Sequence, residues 1–236
     1  MPAIPTTQNY SVYVGPPGIA TMSAGSIQWR YETTGTLPTT GTNLDLSLGN
    51  QQNARLTFNA SSGEGLRLQL NDLNAVNIGT VTALIKAPSG ATVSGLANVD
   101  GGTNTLWLQT GALTETGTYT VTLAPSGGAR NLRLRLRRQG IFALTSGGTP
   151  TAMSTSATLT EARLTFTGSV GANLGLALSA ITPAASAANP VTVEVYYQDA
   201  PLPITSTTLT GTSGGALNLE ALASAGEYRV LVRPPP

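Results

Sequence analysis

A chain of 236 residues with 12 basic side chains, 11 acidic ones, no cysteine and no histidine can form no disulfide, no thiolate or imidazole metal centre, and no Ser-His-Asp or Cys-His catalytic group. Charged residues make up 10% of it and hydrophobic ones 40%, with a net charge of +1, which excludes disorder driven by low hydrophobicity and high net charge. The 27 glycines and 15 prolines punctuate runs of alternating apolar residues, a pattern that predicts an all-β chain rich in turns.

Residues 1–25 carry Pro2, Pro5, Pro16 and Pro17 around one short alternating run, Tyr10–Val14. Tyr10, Val12 and Val14 would share one face of a strand. This stretch reads as an extended N-terminal arm. It lacks the basic and apolar regions of a secretory signal, although a surface rich in Thr, Gly and Ser and poor in Lys resembles extracellular material. A phage virion protein, released by lysis, reconciles the two. No apolar run approaches the ~18 residues of a membrane-spanning helix, so no membrane span is expected.

Ser26–Thr33 predicts the next strand, with Ile27, Trp29 and Tyr31 on one side, and Thr34–Gly41 reads as a turn. Leu44, Leu46 and Leu48 then alternate with Asp45 and Ser47. From Ala54 the chain begins to repeat itself. ARLTFNASSGEGLRLQLNDL at Ala54–Leu73 is answered 108 residues later by ARLTFTGSVGANLGLALSAI at Ala162–Ile181. Leu66, Leu68 and Leu70 match Leu174, Leu176 and Leu178, and alternation at every second position gives each strand one apolar face. Further on, Val81–Ile85 matches Val191–Val195, Leu106-Trp107-Leu108 matches Leu217-Asn218-Leu219, and GTYTV at Gly117 matches GEYRV at Gly226. A period of this length is that of a domain rather than of a solenoid unit. Two tandem antiparallel β-sandwich domains, 26–138 and 139–236, are therefore expected after the arm at 1–25.

The order of an ARLTF-like strand, G-x-x-L-x-L-x-L, a V-T-V strand, an L-x-L run and G-x-Y-x-V before a Pro turn resembles bacterial pre-peptidase C-terminal-type domains. The similarity covers about Gln52–Pro125 and about Glu161–Pro234. It implies a small jelly-roll-like β-sandwich that assists folding, anchoring or binding and is not itself catalytic. The acidic loop residues that such secreted domains often carry are scarce here, so no calcium site is expected.

The repeats differ at their ends. The first continues into Asn131–Arg138, NLRLRLRR, while the second stops at Pro236. A sandwich short of one strand exposes an edge, which Tyr10–Val14 could fill within the chain or from a neighbouring subunit. In the plainer reading that strand packs on its own repeat and the second sandwich is simply shorter.

Arg133, Arg135 and Arg137 would form a ladder opposite Leu132, Leu134 and Leu136. The plain reading is a solvated edge strand kept from aggregating by like charges. The sharper one is a strip for an acidic partner surface or a charged glycan, since guanidinium binds carboxylates and phosphates through two bonds at once. Trp107, between inward Leu106 and Leu108, should face outward as a contact surface or glycan platform, unless the chain itself covers it. The carboxylates are scattered and do not recur at matched repeat positions, as a duplicated glycosidase site would require.

The sequence therefore predicts no catalytic residue, no metal and no cofactor. Near-neutral charge without aromatic interleaving argues against nucleic acid as a partner. The expected function is that of a structural protein of an extracellular assembly, most concretely a phage virion surface component such as a capsid decoration or tail accessory protein. Its partners would be other subunits of that assembly, contacted through Tyr10, Val12, Val14, Trp107, Arg133, Arg135 and Arg137. The alternative is a carbohydrate- or surface-binding accessory module of a bacterial extracellular protein, with a cell-surface glycan as partner.

Overall fold

The structure, a computed structural model, describes residues 32–73, 80–99, 105–145, 147–198, 200 and 202–234. These all belong to one compact unit, Tyr31–Pro236. The strand expected at Tyr10–Val14 and most of that expected at Ser26–Thr33 lie outside the described residues. Among the described residues there are fifteen strands and no helix. The chain is an all-β protein built of β-sandwiches.

The first core lies between two layers. One layer is β1 (Thr33–Thr36), β3 (Ala54–Ala60), β8 (Gly117–Pro125), β5 (Val81–Lys86) and β6 (Thr92–Val99), hydrogen-bonded in that order. The other holds β2 (Thr40–Leu48), the first part of β9 (Arg130–Ala143), β4 (Glu64–Asp72) and β7 (Thr105–Gln109). Alternation sends Leu56, Phe58, Ile85 and Val121 inward from one side, against Leu66, Leu68, Leu70, Leu132, Leu134 and Leu136 from the other, all at most 3% exposed. The expected turn at Thr34–Gly41 is shorter than the sequence implied. Thr33–Thr36 is a strand, because its backbone finds partners in parallel register along the edge of β3, Thr33 opposite Ala54.

The second core repeats the first. Strands β10 (Glu161–Gly168), β15 (Gly226–Arg233), β12 (Val191–Tyr197) and β13 (Thr205–Leu209) form one layer, while β11 (Leu174–Leu178) and β14 (Gly215–Leu219) pair as a two-stranded sheet. The G-x-Y-x-V motif has the same physical role in both copies. Gly117 and Gly226 adopt φ of 149° and 142°, which only glycine takes without strain. Tyr119 and Tyr228 then stack on Phe58 and Phe166, with ring centroids 5.7 and 5.2 Å apart. Each tyrosine hydroxyl donates to a backbone carbonyl four residues upstream, Glu115 and Ser224, at 2.7 Å, as in the tyrosine corner of other β-sandwiches.

Strand β9 is not the solvated edge that its arginines suggested. It runs for 14 residues, pairs with β4 on one side and β2 on the other, and ends in parallel with β10, Gly140 opposite Ala162. Its end thus stands to β10 as β1 stands to β3. The two parallel pairs interrupt an otherwise antiparallel arrangement. The result is one eight-stranded sheet, β13-β12-β15-β10-β9-β4-β7 with β2 beside β9, that runs through both cores. The boundary expected between residues 138 and 139 falls inside β9.

Candidate functional site

Two features stand out from the repeated scaffold. The first is the outer face of the eight-stranded sheet, which carries the side chains that alternation turns away from the cores. Such a face is normally solvated. Here Arg67 is 4% exposed, and Gln139 and Glu161 are fully buried. Strands β4 and β12 lie four positions apart, a span of about 19 Å in a flat sheet. Yet an Arg67 nitrogen donates to the Tyr196 hydroxyl at 3.3 Å, so the sheet coils upon itself, in keeping with the right-handed twist of strands.

Inside that fold the Glu161 carboxylate accepts from Arg67 at 3.5 Å and from Gln139 at 2.9 Å, and pairs with Arg137 at 3.3 Å. Arg163 donates to the Thr110 carbonyl at 2.6 Å, and Arg229 bonds the Gln109 side chain. Arg233 and Tyr196 both engage Glu194. Burial and the bond to Glu194 push the Tyr196 hydroxyl up to about 12. Burial lowers the Arg137 guanidinium, Glu161 opposes that shift, and Arg135, Arg233 and Arg67 reinforce it. These groups hold the two cores together across a charged seam.

The second feature is an open edge. In the first core β4 has β7 on one side and β9 on the other. Its counterpart β11 pairs with β14 alone. Among the described residues no backbone hydrogen bond reaches β11 from the other side. Leu66, Leu68 and Leu70 are fully buried, whereas Leu174, Leu176 and Leu178 stay partly exposed. Nearby Val170 is 69% exposed.

Those of the residues singled out in the sequence that are described, Arg133, Arg135, Arg137 and Trp107, have partners within the chain. Arg133 makes a bidentate pair with Asp45 at 2.7 and 2.8 Å, which holds the exposed Asp45 carboxyl below its usual range. Arg135 donates to the Gly41 carbonyl at 2.6 Å. Arg137 turns into the seam and lies beneath Gly41, where a β-carbon would come within 2.9 Å of its guanidinium carbon. The three do not form one free strip, since each serves a different partner. Trp107 lies under the Arg67 guanidinium, 4.0 Å from the ring centroid, a cation–π contact that covers one face of the indole. Tyr10, Val12 and Val14 lie outside the described residues.

Sequence reading missed Arg67, Glu161 and Tyr196. The signal available was a mismatch between repeats, for Gly175 stands where Arg67 does and Asn53 where Glu161 does. A polar residue present in only one copy marks a contact that the other copy does not make.

A pH dependence follows from Glu64, at the start of β4. Burial pushes its carboxyl up, but the bond from Arg138 at 2.7 Å and the Ser61 backbone together hold it below the ordinary value of 4.5. A depressed carboxyl stabilises the fold above its unfolded value and loses that contribution as pH falls through the folded one. Thermal stability should therefore drop as pH is lowered below about 4.5, and the drop should be shallower in Glu64→Gln. Calorimetric melts of both proteins from pH 7 to pH 3 check this, and parallel curves would refute it.

No protein-family model matches the chain, and no curated protein matches it significantly. Solved structures do resemble it. The pre-peptidase C-terminal domain of collagenase from Bacillus anthracis is 17% identical with a TM-score of 0.37, over 46% of this chain and 99% of that one. The resemblance is to pre-peptidase C-terminal-type modules. It is the one that the strand order and G-x-Y-x-V implied, and it concerns the fold alone. PliG of Aeromonas hydrophila, a periplasmic inhibitor of g-type lysozyme, is 16% identical with a TM-score of 0.35, over 45% of this chain and 96% of its own. The PBSX exported protein XepA is 11% identical with a TM-score of 0.32, over 83% of this chain and 88% of its own.

Proposed function

We propose that this protein is a non-enzymatic structural component of an extracellular assembly, most concretely a phage virion surface component such as a capsid decoration or tail accessory protein. The observation that carries this reading is the open β11 edge above a partly exposed apolar strip. A face of that kind calls for a partner, because unpaired strand edges associate. Its partners are other subunits of the same assembly. The seam carboxylates support a structural role, since Glu161 and Glu194 are bound to guanidiniums. Quantitative mass spectrometry and immunogold labelling of purified particles test the proposal, with a fixed copy number per particle expected. A protein that stays in the lysate and is absent from particles would overturn it. Deleting residues 2–25 should leave the melting curve of both cores in place and abolish incorporation, and normal incorporation of the shortened chain would remove the arm from the mechanism.

A second reading, a carbohydrate- or surface-binding accessory module, is favoured by a cavity of about 330 Å³ beside β13 and β14, lined by Tyr197, Asn218, Glu220, Leu222 and Tyr228 among others. Aromatic walls with a few polar groups suit a sugar. Binding of the isolated protein on a glycan array, lost in Tyr197→Ala or Trp107→Ala, would favour this reading over the first.

A further inference from the structure

Resting on the assembly reading above, we infer that the open edge of β11 takes a strand donated by a second copy of this chain, and that the donated stretch is Tyr10–Val14. The vacancy is defined by comparison within the molecule. Beside β4, strand β9 supplies backbone partners and sends Leu132, Leu134 and Leu136 into the first core. Beside β11, at the matching place in the second core, no strand lies among the described residues, and Leu174, Leu176 and Leu178 remain partly exposed.

Among the described residues the edge strand itself carries no charge, proline or bulge. Natural sheets guard exposed edges with charges, prolines or bulges. Strand β11 is LGLAL, paired to β14 in unbroken register. No charged residue occurs between Arg163 and Glu194. Such an edge favours β-strand addition, in which main-chain bonds supply affinity and alternate side chains supply specificity.

The occupant must replace what β9 contributes, namely apolar residues at three alternate positions over five residues, without a charge to bury. Tyr10-Ser11-Val12-Tyr13-Val14 meets this demand and equals β11 in length. The surrounding stretch is uncharged too, the first charged residue of the chain being Arg30. Each copy then offers one strand and one edge. Reciprocal exchange between two copies closes a dimer, while donation from each copy to the next links copies into a ring or a lattice.

The absence of cysteine makes disulfide trapping clean. Single variants Ser11→Cys and Ala177→Cys, mixed and oxidised, should give a cross-linked pair containing one of each chain, several-fold above a control in which exposed Ser89→Cys replaces Ala177→Cys. Gly175→Lys places a charge on the edge at a position with open space around its Cβ, the nearest atom being Asn218 Oδ1 at 4.0 Å. It should leave the circular dichroism spectrum unchanged and shift the protein to monomer in light scattering. The inference is overturned if the cross-link does not exceed the control. It is equally overturned if a Ser11→Cys/Ala177→Cys double variant links only within one chain, or if Gly175→Lys leaves the oligomer intact. A protein found in particles without the cross-link would sink strand donation and leave the structural role standing. A cross-linked oligomer absent from particles would do the reverse.

Discussion

Replacing Glu161 by alanine should lower the unfolding midpoint by on the order of 10 °C. The carboxylate is fully buried and partners Arg67, Arg137 and Gln139 at once. Breaking a buried pair from one side costs about 3–5 kcal/mol, because the charge left behind stays desolvated. In a chain of this size each kcal/mol moves the midpoint by about 2–4 °C. Glu161→Gln should fall between wild type and alanine, since the amide keeps the shape and one acceptor but not the charge. Adding Arg67→Met to Glu161→Ala should recover part of the loss, as removing both members of a buried pair is gentler than removing one. Differential scanning calorimetry of the four proteins measures all of this. A Glu161→Ala midpoint within ~2 °C of wild type, less than ~1 kcal/mol by the same conversion, would mean that water reaches the seam and that the ion network does not hold the cores together.

Leu68→Ala and Leu176→Ala make the same change at matched positions of the repeat, and their costs should differ several-fold. Leu68 is fully buried between two complete layers, where a leucine-to-alanine change costs about 2–5 kcal/mol through lost transfer energy and the cavity left behind. Leu176 lies on a two-stranded sheet with an open edge and is partly exposed. Less apolar area leaves water there, so a cost below about 1 kcal/mol is expected for the isolated chain. Denaturant unfolding with unchanged slopes gives both values. Equal costs would show that the second core is already closed. If β11 is covered in the assembly, the penalty at Leu176 should rise towards that at Leu68 when the assembled form is melted.

Much of the scaffold was legible in the residues themselves. The alternating leucines of ARLTF-G-x-x-L-x-L-x-L, met twice, specified a half-buried strand pair in each copy, because side-chain direction on a strand depends only on position parity. The tyrosine of G-x-Y-x-V was legible as a repeat marker. Its hydroxyl bond and aromatic stack were not, since both depend on which strand lies alongside. The β9 arginines show the limit most clearly. Parity correctly put Arg133, Arg135 and Arg137 on the face opposite Leu132, Leu134 and Leu136, but it carries no information about what lies over that face. Asp45, the Gly41 carbonyl and Glu161 claim those arginines from 88, 94 and 24 residues away, distances at which sequence spacing says nothing about contact.

The sequence alone thus determined the all-β class, the internal repeat, the inward leucines and the lack of thiol and imidazole chemistry. Those properties follow from local alternation, composition and self-comparison. Only the tertiary structure decided that β9 is shared between the cores, that the eight-stranded sheet coils its outer face into a buried charged seam, and that Trp107 lies beneath Arg67. Each of these arises from pairing and twist between strands distant in the chain. Strands four positions apart bring Arg67 against Tyr196 only after the curvature of the sheet is set, and curvature is a property of the assembled sheet rather than of any one strand.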